Sequence, residues 1–170
     1  MLPVATLLAH SLLYGAILSV LLSALVLGTL AWRPMIWSGD LPAETRAAVG
    51  PMSAADRRAR RWVALLLLLI LVAVLGAAMA GLARLGGGTL RFTDAAVATF
   101  LIFMSFNLVD LLFIDWLLLV KLRAPLFTIP GAELPAVYGD YGYHGRGFLK
   151  GTLGIALLSP LLAALAVLIW

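Results

Sequence analysis

The chain has 170 residues, of which 64% are hydrophobic and 12% charged, where a soluble domain carries roughly a quarter charged. That balance excludes a soluble enzyme, a disordered tail and a free nucleic-acid-binding domain. The formal net charge is +4, and no cysteine is present, which removes disulfides, Cys-ligated metal and thiol chemistry.

A bilayer core about 30 Å thick takes roughly 20 apolar residues in a helix that rises 1.5 Å per residue. Four stretches meet that length, at 4–31, 62–83, 95–120 and 147–170. The expected fold is therefore all-α: a polytopic membrane protein with four transmembrane helices in one bundle. A lipid bilayer is its first expected partner. The first stretch is followed, not preceded, by its first basic residue, Arg33, so it reads as a retained span and not as a secretory signal.

The positive-inside rule sets the direction. The loop at 32–61 holds Arg33, Arg46, Arg57, Arg58, Arg60 and Arg61, and the region after the third span holds Lys121, Arg123, Arg146 and Lys150. The other side has Arg84 and Arg91. Both termini are expected outside, with the loops 32–61 and 121–146 in the cytoplasm. Surplus basic residues are then accounted for by topology, and no nucleic-acid partner is expected. Arg57, Arg58, Arg60 and Arg61 would lie at an anionic inner leaflet, as topology determinants or as a lipid-contact site.

In the first loop, Trp32 and Trp37 suit the headgroup zone. Asp40, Pro42 and Glu44 read as a helix start, with Pro in the first turn and acids near the positive dipole end. Gly50-Pro51 breaks that helix. Ser53-Ala-Ala-Asp56 resembles a capping box that opens the second helix ahead of the membrane. The second loop carries Gly86-Gly87-Gly88 as a short outer hairpin, and Thr93 or Asp94 is expected to cap the third helix.

Polar residues inside a span are costly and face protein or water. The third span carries Asn107, Asp110 and Asp115, within an arc of about 140° on an α-helical wheel. Asp115 lies six residues before Lys121, about 9 Å of helix. Lys150 lies at a similar depth on the antiparallel fourth span, so an Asp115–Lys150 ion pair is the simplest expectation. Asp110 is deeper, with no basic residue at its level. It reads as interhelical hydrogen-bonding glue, or as a carboxylate that couples a proton or ion.

The two histidines, His10 and His144, fall near opposite faces, so they would not share one haem. No cofactor and no confident metal site are expected. Small residues recur four apart at Ser11, Gly15, Ser19 and Ser23, at Gly76/Ala80 and Ala77/Gly81, and at Gly147/Gly151. These are seams for close helix contact within the chain or between copies. Pro160 should kink the fourth span, with Ser159 satisfying the freed backbone group.

The third loop contains an Ile129-Pro130-Gly131 turn, then a segment dense in tyrosine, glycine and ionisable groups. Its glycines are expected to allow sharp bends or close approach to a ligand. By elimination, the cytoplasmic half of span three, this loop and the start of span four should carry any chemistry. The outer loops are short, and span two has no polar side chain between Arg61 and Arg84. The candidate set is Asn107, Asp110, Asp115, Glu133, Tyr138, Asp140, Tyr141, Tyr143, His144, Arg146 and Lys150. The alternative is that the loop only folds back as an amphipathic cap.

The stretches Asn107-Leu-Val-Asp110-Leu-Leu-Phe-Ile-Asp115-Trp116, Ile129-Pro130-Gly131-Ala-Glu133 and Tyr138 through Gly151 resemble small bacterial four-helix integral membrane proteins of unassigned activity. The resemblance covers 107–151. It implies that span three, loop three and the start of span four form one unit, and a bacterial plasma membrane as the location. It carries over no catalytic role.

Three functions follow as expectations. The first is a non-enzymatic accessory or oligomeric subunit, working as a homo-oligomer or in a larger membrane complex. The second is a membrane-embedded enzyme acting on a lipid or phosphate-bearing substrate, with Arg146 and Lys150 holding the phosphate. The third is a small proton- or ion-coupled transporter using Asp110.

Overall fold

The computed structural model describes residues 2–41, 46–47, 49–128 and 139–170. Pro42, Glu44, Ile129, Pro130, Gly131, Glu133 and Tyr138 lie outside the described residues. The described part is all-α, with four helices long and apolar enough to cross a membrane. They run Val4–Trp32, Ala54–Leu85, Phe92–Lys121 and Tyr141–Val167, and are called here the first to fourth helices.

These helices are apolar around most of their circumference. On the second, Leu65, Leu68, Leu69 and Val72 all point outward, and Leu69 is 64% exposed. A soluble protein does not leave so continuous an apolar surface in water. Lipid tails satisfy it, and the chain is an integral membrane protein. The core, by contrast, is built largely from small residues: Ala78, Ala95, Ala98 and Ala163 are fully buried, around Leu18, Met79 and Ile102. Between apolar helices in lipid, close backbone approach and dispersion supply the packing energy.

The first helix packs against both the second and the third, and the fourth packs mainly on the third. Each interface has a specific small-residue or polar contact. At the first–third interface, a Cβ on Gly15 would lie 2.4 Å from Ser105 Oγ, so only glycine fits. At the first–second interface, His10 Nε2 donates to the Ala78 carbonyl at 2.9 Å, which fixes the proton on Nε2 because a carbonyl can only accept. A Cβ on Gly81 would lie 2.6 Å from His10 Cε1, so Gly81 makes the notch for the imidazole. His10 also packs on Tyr14, with ring centroids 4.8 Å apart. At the third–fourth interface, Asn107 Nδ2 donates to the Phe148 carbonyl at 3.2 Å and to Thr152 Oγ1 at 3.1 Å. Gly151 clears the space, since a Cβ there would sit 2.7 Å from Asn107 Oδ1.

The expected seams are thus used in part. Ser11, Gly15, Ser19 and Ser23 are all buried. Gly81 and Gly151 make close contacts, whereas Gly76 and Gly147 face open space. Ser11 and Ser19 return their hydroxyls to their own helix, to Leu7 and to Gly15 at 2.7 Å each, and so pack as small residues, whereas the buried Ser23 hydroxyl has no partner among the described residues.

Loop chemistry follows the sequence at several points. Ser53 Oγ accepts the Asp56 N–H at 3.1 Å and donates to its carboxylate at 2.5 Å, and Arg33 bridges Asp56 at 2.8 Å. This ties the first loop to the start of the second helix. Gly87, at φ 77°, ends the second helix, with the Gly88 N–H on the Ala83 carbonyl at 2.9 Å.

The first loop also forms a 3-10 helix at Pro34–Asp40, ahead of the expected short helix and opened by Pro34 in its first turn. The start expected at Pro42 and Glu44 lies outside the described residues, while Arg46, Ala47 and Val49 are helical and the helix breaks at Gly50, at φ 79°, as expected. Three local expectations are corrected. Neither Thr93 nor Asp94 caps the third helix, whose N-cap is Arg91 without a side-chain bond. Asp94 is instead buried and accepts the Leu2 N–H at 3.1 Å. Ser159 Oγ donates to the Ile155 carbonyl at 2.6 Å and so leaves alone the Ala156 carbonyl that Pro160 frees. The fourth helix begins at Tyr141, so Tyr141, Tyr143, His144 and Arg146 are helical, and no glycine of that segment has positive φ. Asp140 caps it, accepting the Gly142 N–H at 2.8 Å.

Candidate functional site

From Asp110 to Lys121 the third helix widens into a π-helix. Its hydrogen bonds reach five residues, as from the Leu122 N–H to the Leu117 carbonyl at 2.9 Å. Residues five apart diverge by about 140° around an α-helix. In the wider turn they return to one face, and Asp110 and Asp115 line a single cavity.

Asp115 Oδ2 lies 3.1 Å from His144 Nδ1. His144 is 7% exposed, buried one turn into the fourth helix, and Tyr143 stands edge-on to it with centroids 5.4 Å apart. The carboxylate therefore holds the imidazole in place, with Nδ1–H as the donor. A second contact clamps the same two helices: Trp116 Nε1 donates to the Tyr141 carbonyl at 3.3 Å, with the two rings in a T-shape at 5.5 Å.

The cavity has a volume of about 400 Å³. Val26 and Leu30 of the first helix, Leu67 of the second and Phe106, Ile114 and Leu119 of the third form its apolar walls. The first loop adds Trp37 and Leu41, and Phe127 closes in from a short 3-10 turn at Pro125–Phe127. Asp110, Asp115, Tyr143 and His144 supply the polar wall. The loop wall is held firmly. Ile36 and Leu41 are buried, and Trp37 Nε1 donates to Thr29 Oγ1 at 3.1 Å. Trp37 is thus a folded-in wall residue, while Trp32 is 63% exposed with the Arg33 guanidinium 5.1 Å over its ring, as a headgroup anchor would be.

The candidate residues separate into groups. Asp110, Asp115, Tyr143 and His144 meet at the cavity. Asn107 is a clasp to the fourth helix. Asp140 is a cap, and Arg146 lies 3.9 Å from it on the exposed face. Tyr141 and Lys150 are exposed. The expected Asp115–Lys150 pair is not formed, because Asp115 turns to His144. Residue counting misjudged the depth: Asp115 is level with His144, six residues or about 9 Å of helix before Lys150, whose neighbours Phe148, Gly151 and Thr152 meet Asn107. Glu133 and Tyr138 lie outside the described residues. Arg57, Arg58, Arg60 and Arg61 are all exposed, with the Arg60 guanidinium near Gly39. Among the described residues no group of three or more metal-ligating side chains converges.

Sequence reasoning missed the apolar wall contributed by the first loop, and it named both Asp115 and His144 as candidates without pairing them. One signal was present for the pair: His144 sits one turn beyond the Asp140 cap of the fourth helix. No protein-family model, curated protein or solved structure matches this chain.

Proposed function

We propose that this chain is a non-enzymatic membrane subunit that binds a small amphipathic molecule in the cavity between its helices. The observation that carries the reading is the form of that cavity. Its volume of about 400 Å³ falls within the usual range for small-molecule sites, and its polar groups, Asp110 and the Asp115–His144 pair, gather on one wall of an otherwise apolar space. A ligand with one polar end would satisfy both surfaces.

The setting is the plasma membrane of a bacterium, with the arginine-rich loop inside. The exposed Arg57, Arg58, Arg60 and Arg61 would face anionic headgroups there. Gly76 and Ala77, on the open side of the second helix, leave a smooth surface for a further copy or a larger complex. A second reading has one specific support: Asp110 lines the cavity, so a proton- or ion-coupled carrier would have its carboxylate in place. An enzyme acting on phosphate draws less support, because Arg146 and Lys150 are exposed, away from the Asp115–His144 pair.

The test uses the protein in nanodiscs and three probes that share one body: 4-phenylbutylamine, 4-phenylbutanol and 4-phenylbutyrate. Saturation-transfer NMR, with empty nanodiscs subtracted, is expected to detect binding of at least one. Val26→Trp, which fills the cavity, is expected to abolish it while the helical circular dichroism persists. If no probe binds the wild-type protein, or if binding survives Val26→Trp, the reading is wrong.

A further inference from the structure

We infer that the ligand of this cavity is a cationic amphiphile, an ammonium group on an apolar body. The inference rests on the binding reading above and names the chemical class that fills it. Two independent features of the wall point the same way.

The first is charge. Asp110 and Asp115 face the space, with His144 beside them. Among the described residues no lysine or arginine lines the cavity. Arg33 is committed to Asp56 at 2.8 Å, Arg146 lies out by Asp140 at 66% exposure, and Lys150 is exposed. If His144 is protonated, its charge cancels that of Asp115 and Asp110 is left over. If His144 is neutral, two carboxyl groups are left. In both cases the wall has an acidic surplus inside a low-dielectric space. A carboxylate there needs a proton or a cation, and an incoming ammonium supplies the cation together with hydrogen-bond donors. A phosphate or carboxylate headgroup would add like charge and be rejected.

The second is aromatic. Trp37, Phe106, Phe127 and Tyr143 contribute to the same lining. Ring faces attract cations through their quadrupoles, most strongly where water is excluded, and aromatic walls are a recurring way of holding ammonium groups. These four residues come from the first loop, the third helix, the 3-10 turn and the fourth helix. The rings are therefore contributed by four separate elements and not by one helix face. The apolar residues Val26, Leu30 and Leu67 accommodate the body of the ligand.

The probe series decides between headgroups. In wild-type protein in nanodiscs, 4-phenylbutylamine is expected to bind at least on the order of tenfold more tightly than 4-phenylbutanol, with 4-phenylbutyrate weakest. Asp110→Asn, nearly isosteric, is expected to bring the amine to the level of the alcohol within that variant, so that the amine's advantage is lost. Trp37→Leu is expected to weaken the amine more than the alcohol. Should the alcohol or the carboxylate bind wild type as well as the amine does, the headgroup assignment is overturned while the cavity reading stands. Retention of the amine preference in Asp110→Asn also overturns it. Binding of none of the three sinks both readings together. The wild-type comparison does not depend on any variant folding.

Discussion

Replacing Gly15 with leucine should drive the first and third helices apart and cost the protein its folded state at physiological temperature. The backbone at Gly15 approaches so closely that a bare Cβ would sit 2.4 Å from Ser105 Oγ and 2.7 Å from Ser105 Cβ. Neither atom can withdraw cheaply. The Ser105 hydroxyl is tied to the Leu101 carbonyl at 2.8 Å, and its Cβ moves only with the helix. Overpacked cores usually lose about 1–3 kcal/mol, and a clash with a Cβ that moves only with its helix belongs at or above the top of that range. The measurement is a melting curve in detergent together with gel filtration. Gly15→Leu is expected to melt far below wild type and to elute as aggregate, and Gly15→Ala to lie in between. Pairing Gly15→Ala with Ser105→Gly should recover much of the loss, because the second change removes the atoms being struck. A Gly15→Leu protein that melts like wild type would mean that the two helices do not approach as described.

Asp115→Ala carries the next largest expected effect. It leaves His144, which is 7% exposed, facing a cavity without the carboxylate that lies 3.1 Å from its Nδ1. Removing one member of a buried pair strands the other, at a cost of about 3–5 kcal/mol where burial is complete. Here Asp115 retains 26% exposure, so about 2–3 kcal/mol is the better expectation. Asp115→Asn keeps an acceptor for the Nδ1–H and should lose less. The double variant Asp115→Ala/His144→Leu should be more stable than Asp115→Ala alone, since no polar group is then stranded. Unfolding in a mixed-micelle titration reads all three. Lys150→Ala serves as the contrast. That side chain is exposed, so its removal should leave stability within about 0.5 kcal/mol of wild type. Equal losses from Asp115→Ala and Lys150→Ala would restore the Asp115–Lys150 pairing expected from residue counting.

The four spans were legible because hydrocarbon imposes length and polarity directly on sequence. A run such as 62–83, with Arg61 and Arg84 at its ends, admits one interpretation. The capping box at Ser53 and Asp56 was legible for a similar reason, since its chemistry is complete within four residues. The site was harder to read. The segment at 141–151 has the glycine content of a loop, and isolated glycines do weaken helices. The Asp140 cap, the Trp116 bond to the Tyr141 carbonyl and the Asn107 clasp outweigh that weakness, and two of these three partners lie on another helix. The switch to π geometry at Asp110 has no local sequence mark, yet it decides that Asp110 and Asp115 share a face. Which partner Asp115 meets was therefore beyond a wheel drawn at 3.6 residues per turn. The cavity needed residues from every helix and from the first loop, and no sequence pattern reports such a meeting.

The distribution of polar contacts has a consequence for how the chain enters the membrane. His10 joins the first helix to the second, and Asn107 joins the third to the fourth, so each hairpin carries its own internal fastening. Between hairpins the Gly15–Ser105 contact needs only two smooth surfaces, and the Leu2 N–H reaches the Asp94 carboxylate once the halves have met. Insertion can then proceed in pairs. Each hairpin leaves the insertion machinery with its costly imidazole or amide already satisfied, and the two halves meet afterwards by lateral diffusion. The glycine turn between them, at Gly87 and Gly88, is the joint at which the polypeptide can be cut without severing either fastening. Separately synthesised halves should therefore find each other in the bilayer and rebuild the cavity, which closes only when the two hairpins meet. The cavity is in this sense a product of assembly, complete only after the two hairpins have met.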